Sequence, residues 1–327
     1  MPRSLAGHLS GPPIYNARGD ALDAHIHLML TLDRATQRGP LDWAPAAARE
    51  RMRSGIRLIQ RRPTAVHSIT PLLIAGRMSG RLYQPDVRRP PLVVFFHGGG
   101  WVTGDLETHD HFCRRLCAGA QVAVAAVDYR LAPEAPFPAA IEDAGAAWAD
   151  LRARAESLGA DPDRVAVAGD SAGGNLAAVV CQRVRDGRVD APLPQAQVLI
   201  YPSTDFRRQT DSHREFATGF LLTSESIDAY KAAYAAPDDL DPDASPLLRP
   251  DLTGLPDAVI STAGFDPLRD EGEHYADALR AAGVACTHLA ERRLIHGYLQ
   301  MDAISAEADR AVGRLIDATA AALGARR

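Results

Sequence analysis

Ser171 sits in the run Gly169-Asp170-Ser171-Ala172-Gly173-Gly174, with a glycine two positions away on each side. Val165–Ala168, just before the run, is short and apolar, and the chain from Asn175 onward favours helix. A G-x-S-x-G on a strand-to-helix turn holds its serine in a strained backbone conformation and points the hydroxyl outward. Side chains at Gly169 or Gly173 would collide across so tight a turn. A helix amino terminus beyond Ser171 favours negative charge developing on a bound substrate. The chemistry predicted is attack by a serine hydroxyl on a carbonyl carbon. A glycine-rich helix start can also cradle phosphate, but the run lacks the G-K-[ST] ending of a P-loop and fits no G-x-G-x-x-G.

Such an attack creates a tetrahedral oxyanion, and backbone N–H groups must already face the place where that charge forms. His97-Gly98-Gly99-Gly100-Trp101 follows the apolar run Leu92–Phe96 and has the HGGG pattern of esterase oxyanion loops. Gly98 and Gly99 are the expected donors, with the N–H of Ala172 as the third. His97 is expected to hold the loop by hydrogen bonding and to take no part in the chemistry.

The serine needs a general base, and the base needs a carboxylate that fixes its tautomer. In a strand–elbow–helix hydrolase the chain order is Ser, then Asp or Glu, then His. The histidines beyond Ser171 are His213, His274, His288 and His296. His213 falls in a strand-free stretch, His274 inside a helical one, and His288 within the short strand Ala285–Leu289. His296 follows that strand in a loop before the last helix, where the base must lie. Asp266 is the first carboxylate after the run Ala258–Thr262, and Pro267 keeps it out of helical geometry. Asp270 and Glu271 are explained as charges at a helix start, and Asp257 precedes its strand. The predicted catalytic set is Ser171, Asp266 and His296.

Positioning these residues requires a mostly parallel sheet covered on both faces. Continuous apolar runs at Leu92–Phe96, Val122–Val127, Val165–Ala168, Val198–Tyr201 and Ala258–Thr262 alternate with helix-permissive stretches. That alternation is the signature of α/β architecture. The helical stretches are Asp110–Gly119, Ala139–Leu158, Ser171–Arg185, Glu271–Ala282 and Ala303–Leu323. Residues 1–50 and 204–245 break the rhythm and carry no strand pattern; they are expected to form a helical cap over the site. Residues 51–203 and 246–327 are then the two parts of the α/β core.

Composition narrows the rest. The chain of 327 residues has a formal net charge of -5, which argues against nucleic acid or an anionic membrane surface as a partner. The four cysteines form no C-x-x-C pair and read as free thiols. The amino terminus shows no signal-peptide pattern, and no apolar run approaches the roughly twenty residues of a membrane span, so a cytoplasmic protein is expected. His25 and His27, like His109 and His111, are two apart and point away from each other on a helix, so no metal site is expected.

Further motifs extend the pattern: Tyr129-Arg130-Leu131-Ala132-Pro133-Glu134, Phe137-Pro138-Ala139-Ala140, Ser245-Pro246-Leu247 and Asp266-Pro267-Leu268-Arg269-Asp270-Glu271-Gly272. With HGGGW and GDSAGG in this order, residues 60 to 325 resemble the hormone-sensitive-lipase-like carboxylesterases, bacterial family IV. The resemblance implies an α/β-hydrolase fold with an eight-stranded sheet and a helical cap. It also implies hydrolysis of short- to medium-chain esters without a cofactor. Relatives are often dimers, so a homodimer is among the expected states. Two positions depart from the family pattern: Arg293, where a glycine is usual, and Tyr298, where Phe is common. An ion pair between Asp128 and Arg130 is expected. Trp101, Tyr201, Phe216, Phe220 and Leu221 are candidates for the substrate pocket, with core or cap packing the alternative for each. Amide or lactone cleavage by the same residues is the second reading. A non-catalytic ligand-binding relative, as among the plant gibberellin receptors, would lack the triad histidine, and His296 is present here.

Overall fold

A computed structural model of the protein describes residues 3–36, 44–59, 61–207 and 209–325. Its centre is an eight-stranded sheet in the order β1-β2-β4-β3-β5-β6-β7-β8. The strands are β1 (Ser68–Ile74), β2 (Met78–Gln84), β3 (Leu92–Phe96), β4 (Ala123–Val127), β5 (Val165–Asp170), β6 (Ala196–Ile200), β7 (Asp257–Phe265) and β8 (Cys286–Ile295). β1 and β2 are antiparallel to their neighbours, and all pairings from β4 to β8 are parallel.

The inner strands are apolar throughout because both of their faces are covered. Leu92, Val94 and Phe96 of β3 point into one buried cluster and Val93 and Phe95 into the other, as the two-residue period of a strand requires. The first cluster is closed by α5 (Ala139–Arg154), α6 (Ala172–Arg185) and α9 (Arg269–Ala281) through residues such as Trp148, Leu176 and Tyr275. The second is closed by α4 (Asp110–Ala120) and α10 (Ala306–Ala322) through Phe112, Leu116, Val312 and Leu315. Cys113, Cys117 and Cys181 are buried free thiols and Cys286 is a half-buried one.

The strands left out of the sequence reading are β1 and β2. β1 is an edge strand interrupted by Pro71, and β2 contains Gly80. Pro71 is tolerated at an edge because it owes no N–H to a second neighbour. Gly80 is required because a Cβ there would lie 2.4 Å from Ile74 Cδ1 and 2.8 Å from the carbonyl oxygen of Ala126. β8 also runs on to Ile295, well past Leu289.

The strand-poor segments hold α1 (Arg3–Ser10), α2 (Ala24–Thr36) and α3 (Pro45–Ile59), then α7 (Asp211–Glu215) and α8 (Ser224–Tyr234). Residues 37–43 of the expected amino-terminal cap lie outside the described residues. Arg34 of α2 donates to the carbonyl of Gly219 (2.8 Å), so the two segments touch. Arg49 of α3 donates to the carbonyls of Val102 (2.8 Å) and Ala132 (3.0 Å). The N–H of Asp23 donates to the carbonyl of Arg293 at 2.9 Å, so half-buried Arg293 ties β8 to the amino-terminal segment through its backbone.

One expected pairing is corrected. Arg130 pairs with Asp143 of α5 at 2.8 Å, not with Asp128. Asp143 reaches back from the first turns of α5 to take both the backbone N–H (3.0 Å) and the guanidinium of Arg130, a set of charge-assisted bonds that commits the Arg130 side chain to α5. Arg77 also donates to Asp143.

Candidate active site

Ser171 is the residue between β5 and α6, at φ 54° and ψ -118°. A non-glycine residue at positive φ costs free energy and persists only where its surroundings enforce it. Here the crossing of β5 and α6 over β3 does so. A Cβ on Gly169 would stand 2.2 Å from the carbonyl oxygen of Gly173, and one on Gly173 2.0 Å from that of Phe96. Only glycine lets the backbones approach this closely.

His296 directly follows β8, and Asp266 directly follows the neighbouring β7. Their adjacency in the sheet brings Nδ1 of His296 to 2.8 Å from Oδ2 of Asp266, while Nε2 lies 3.0 Å from Oγ of Ser171. Asp266 is wholly buried, and its second oxygen accepts the N–H of Leu268 at 2.9 Å. With Nδ1–H donating to the carboxylate, Nε2 is left to accept the serine proton.

The glycine loop departs from expectation at one position. The N–H of Gly98 donates to Oδ1 of Asp170 at 2.7 Å, so it is committed to a buried carboxylate and is corrected as an oxyanion donor. Gly99 and Gly100 adopt φ of 120° and 61°, and among the described residues their N–H groups have no hydrogen-bond partner. The carbonyl of Gly99 instead accepts the N–H groups of Val102 (3.1 Å) and Thr103 (2.9 Å), closing a tight turn. The N–H of Ala172 belongs to the first turn of α6, where no preceding helical carbonyl can reach it.

His97 is held next to this loop. Its Nδ1–H donates to the carbonyl of Gly98 (2.9 Å), its ring stacks on Tyr129 at 4.4 Å, and the Tyr129 hydroxyl donates to the His97 carbonyl (2.7 Å). Burial, with His109 beside it, lowers its pKa to about 4, so the ring is neutral near pH 7.

The five pocket candidates scatter. Trp101 is buried and stacks on Tyr234 at 4.4 Å, edge-on to Phe206 at 5.3 Å. Tyr201 lies beneath the imidazole of His296, ring centroids 4.6 Å apart. Phe216 is buried against Phe220 and Phe265, with the Arg269 guanidinium 5.2 Å from its ring centroid. Leu221 is 53% exposed and overhangs the turn after His296, where its Cδ2 would touch a Cβ on Gly297 at 3.6 Å. Two neighbours of the site went unassigned in the sequence. Tyr230 of α8 covers Gly100 so closely that a Cβ there would meet its ring at 2.3 Å. Asp170 adjoins the serine in a motif whose glycines and serine absorb the reading.

Asp270 and Glu271 do start α9, but they also fasten the 204–213 segment. Asp270 accepts the N–H of Ser212 (2.8 Å) and Glu271 that of Thr204 (2.7 Å), with His213 Nε2 3.3 Å from Glu271. Complete burial raises the Glu271 carboxyl well above its ordinary range, outweighing those N–H groups. Of the histidine pairs, His109 Nε2 faces Asp170 (3.2 Å) and His111 Nε2 faces Asp302 (2.6 Å). Tyr298 is buried and its hydroxyl bonds Ser261 Oγ at 2.7 Å.

A family model described as alpha/beta hydrolase fold matches residues 93–300. The carboxylic ester hydrolase LipN of Mycobacterium tuberculosis is 46% identical over 320 residues, covering 93% of this chain and 84% of LipN. An ethyl acetate hydrolase of Pseudomonas putida is 38% identical over 244 residues, covering 73% of this chain and 76% of that protein. The crystal structure of a variant α/β-hydrolase from the metagenome of Lake Arreo superposes with a TM-score of 0.88 at 39% identity, covering 93% of this chain and 99% of that one.

Proposed function

This chain belongs to the hormone-sensitive-lipase-like carboxylesterases of the α/β-hydrolase fold, and from that premise we propose that it hydrolyses short- to medium-chain esters through an acyl-enzyme on Ser171. One observation carries the assignment of roles: Ser171, His296 and Asp266 form a continuous chain of contacts at 3.0 and 2.8 Å. His296 takes the proton of Ser171 as Oγ attacks the ester carbonyl. The N–H groups of Gly99, Gly100 and Ala172 receive the oxyanion, aided by the positive end of α6. His296 then returns the proton to the leaving alcohol. Water repeats the sequence, with His296 as base, and releases the acid.

Segments 1–50 and 204–245 act as a cap in this reading. The support is the bond from Arg34 to Gly219 and the positions of Tyr230 over Gly100 and Leu221 beside Gly297. Phe220 and Leu221 are the candidates that meet substrate, while Trp101, Tyr201 and Phe216 back the site from within. Among the described residues no helix is long and apolar enough to cross a membrane. A cytoplasmic location and a homodimer complete the proposal.

The experiment is Ser171→Ala beside covalent labelling with a fluorophosphonate. Wild type should label at one site and the variant should not. Turnover of p-nitrophenyl esters should fall by several orders of magnitude; retained turnover would refute the assignment. Matched amides and lactones in the same assay decide between ester and amide or lactone cleavage.

A further inference from the structure

We propose that Asp170 is a positioning residue for acyl transfer, fixing the glycine loop against the nucleophile turn by accepting the N–H of Gly98. This rests on the acyl-enzyme reading above. Asp170 ends β5, and the parallel register sets Phe96 of β3 opposite Gly169, so the loop leaving β3 passes directly over the Asp170 side chain. Oδ1 accepts the Gly98 N–H at 2.7 Å and lies 3.2 Å from Nε2 of His109. The Tyr201 hydroxyl donates to Oδ2 at 3.3 Å. Groups from the loop after β3, the residue before α4 and the residue after β6 thus converge on one buried carboxylate. Gly98 is pressed onto it: a Cβ there would lie 2.5 Å from Oδ2 and 2.8 Å from the Asp170 carbonyl oxygen.

The loop needs such an anchor. Gly99 and Gly100 are two consecutive glycines at positive φ, outside the sheet ladder, and glycine restrains its own backbone least. Their N–H groups serve an oxyanion only when held close to the point where it forms. Gly98 is the residue before the first of them. A charge-assisted bond to its N–H is stronger than a neutral one, and the His97 Nδ1–H to Gly98 carbonyl bond of 2.9 Å holds the other end of the same residue. Burial would raise the Asp170 carboxyl, but His109 and the Gly98 N–H outweigh it and hold the group below its ordinary range. The carboxylate form required of the acceptor is therefore the one present near neutral pH.

The effect belongs to the transition state, because the ground-state carbonyl carries little of the charge the loop receives. Asp170→Ala should lower kcat by about a hundredfold, the scale for loss of one oxyanion donor, with KM changed less than about threefold. Fluorophosphonate stoichiometry at completion counts folded sites and should stay at wild-type level, while the labelling rate falls in parallel with kcat. Asp170→Asn keeps an amide oxygen that can face both Gly98 and His109, and should recover kcat to within about tenfold of wild type. Asp170→Ser, whose hydroxyl is too short to reach Gly98, should behave like the Ala variant and carries the test if Ala does not fold. A kcat per labelled site within about threefold of wild type in the truncated variants would overturn the proposal, as would an Asn variant as impaired as Ala. Wild-type labelling at Ser171 tests the acyl-enzyme reading alone, so the two failures are distinct.

Discussion

Oδ2 of Asp266 lies 2.8 Å from Nδ1 of His296, although thirty positions separate them in the chain. The contact follows from topology. β7 and β8 are parallel neighbours, so the residue after each strand emerges at the same edge, where ligands of open α/β sheets bind. Under the proposed mechanism the carboxylate fixes the imidazole tautomer. Asp266→Asn should therefore keep the fold and lose turnover by about 10⁴-fold, as the equivalent change does in a serine protease. Circular dichroism beside kcat for a p-nitrophenyl ester checks both halves. A variant with wild-type kcat would remove Asp266 from the mechanism.

The parts of this protein legible in its sequence are those where one physical demand dominates. β3 to β7 are buried on both faces, so their apolar runs stand out. The glycines at Gly169 and Gly173 are dictated by backbone contacts near 2 Å, which no other residue satisfies. Illegible features depend on partners remote in the chain. β1 and β2 lie at a sheet edge with mixed exposure, so no single period marks them. Arg130 meets Asp143 only because α5 folds back over the loop. The commitment of the Gly98 N–H to Asp170 could not be read from a run of three glycines, whose backbone freedom leaves the direction of each N–H open.

Gly173→Ala tests the close approach at the nucleophile turn. The added Cβ would lie 2.0 Å from the carbonyl oxygen and 2.6 Å from the carbonyl carbon of Phe96. Both atoms belong to the central strand β3, which cannot withdraw without breaking its ladders to β4 and β5. Overpacking of this kind costs about 1–3 kcal/mol or more. Urea unfolding should show at least that loss, and the remaining folded protein should label slowly. Unchanged stability would mean that the strand yields more readily than its pairing implies.

Arg49 and Glu134 separate two kinds of contact within one cluster. Their ion pair at 2.6 Å draws the Glu134 carboxyl down to about 2, but its side chain is 62% exposed and water screens the charge. Glu134→Gln should therefore change stability by less than about 1 kcal/mol. Arg49→Ala also removes the bonds to the carbonyls of Val102 and Ala132 and should cost more, about 1–3 kcal/mol. It should also disturb kcat, since Val102 closes the turn that carries the oxyanion donors. Equal effects of the two substitutions in urea unfolding would contradict this division.

Asp243 provides the pH test of the fold. It is buried and takes Arg183 (2.6 Å), Arg188 (2.8 Å) and Arg249 (2.8 Å) on its two oxygens, tying the segment after α8 to the end of α6. Burial alone would raise its carboxyl, but hydrogen bonds from Arg183 and Arg188 outweigh that and lower it from 3.8 to about 2. A depressed folded-state pKa stabilises the protein above the unfolded value and loses that contribution as pH falls through the folded one. The shift corresponds to on the order of 2 kcal/mol, present at pH 7 and lost between about pH 4 and pH 2. Asp243→Asn should thus be less stable than wild type by at least that amount at pH 7, since three guanidinium groups also lose their counter-charge. The gap, measured by urea unfolding at a series of pH values, should begin to close below about pH 4. A gap of constant size from pH 7 to pH 3 would assign the loss to packing and not to the charge on Asp243.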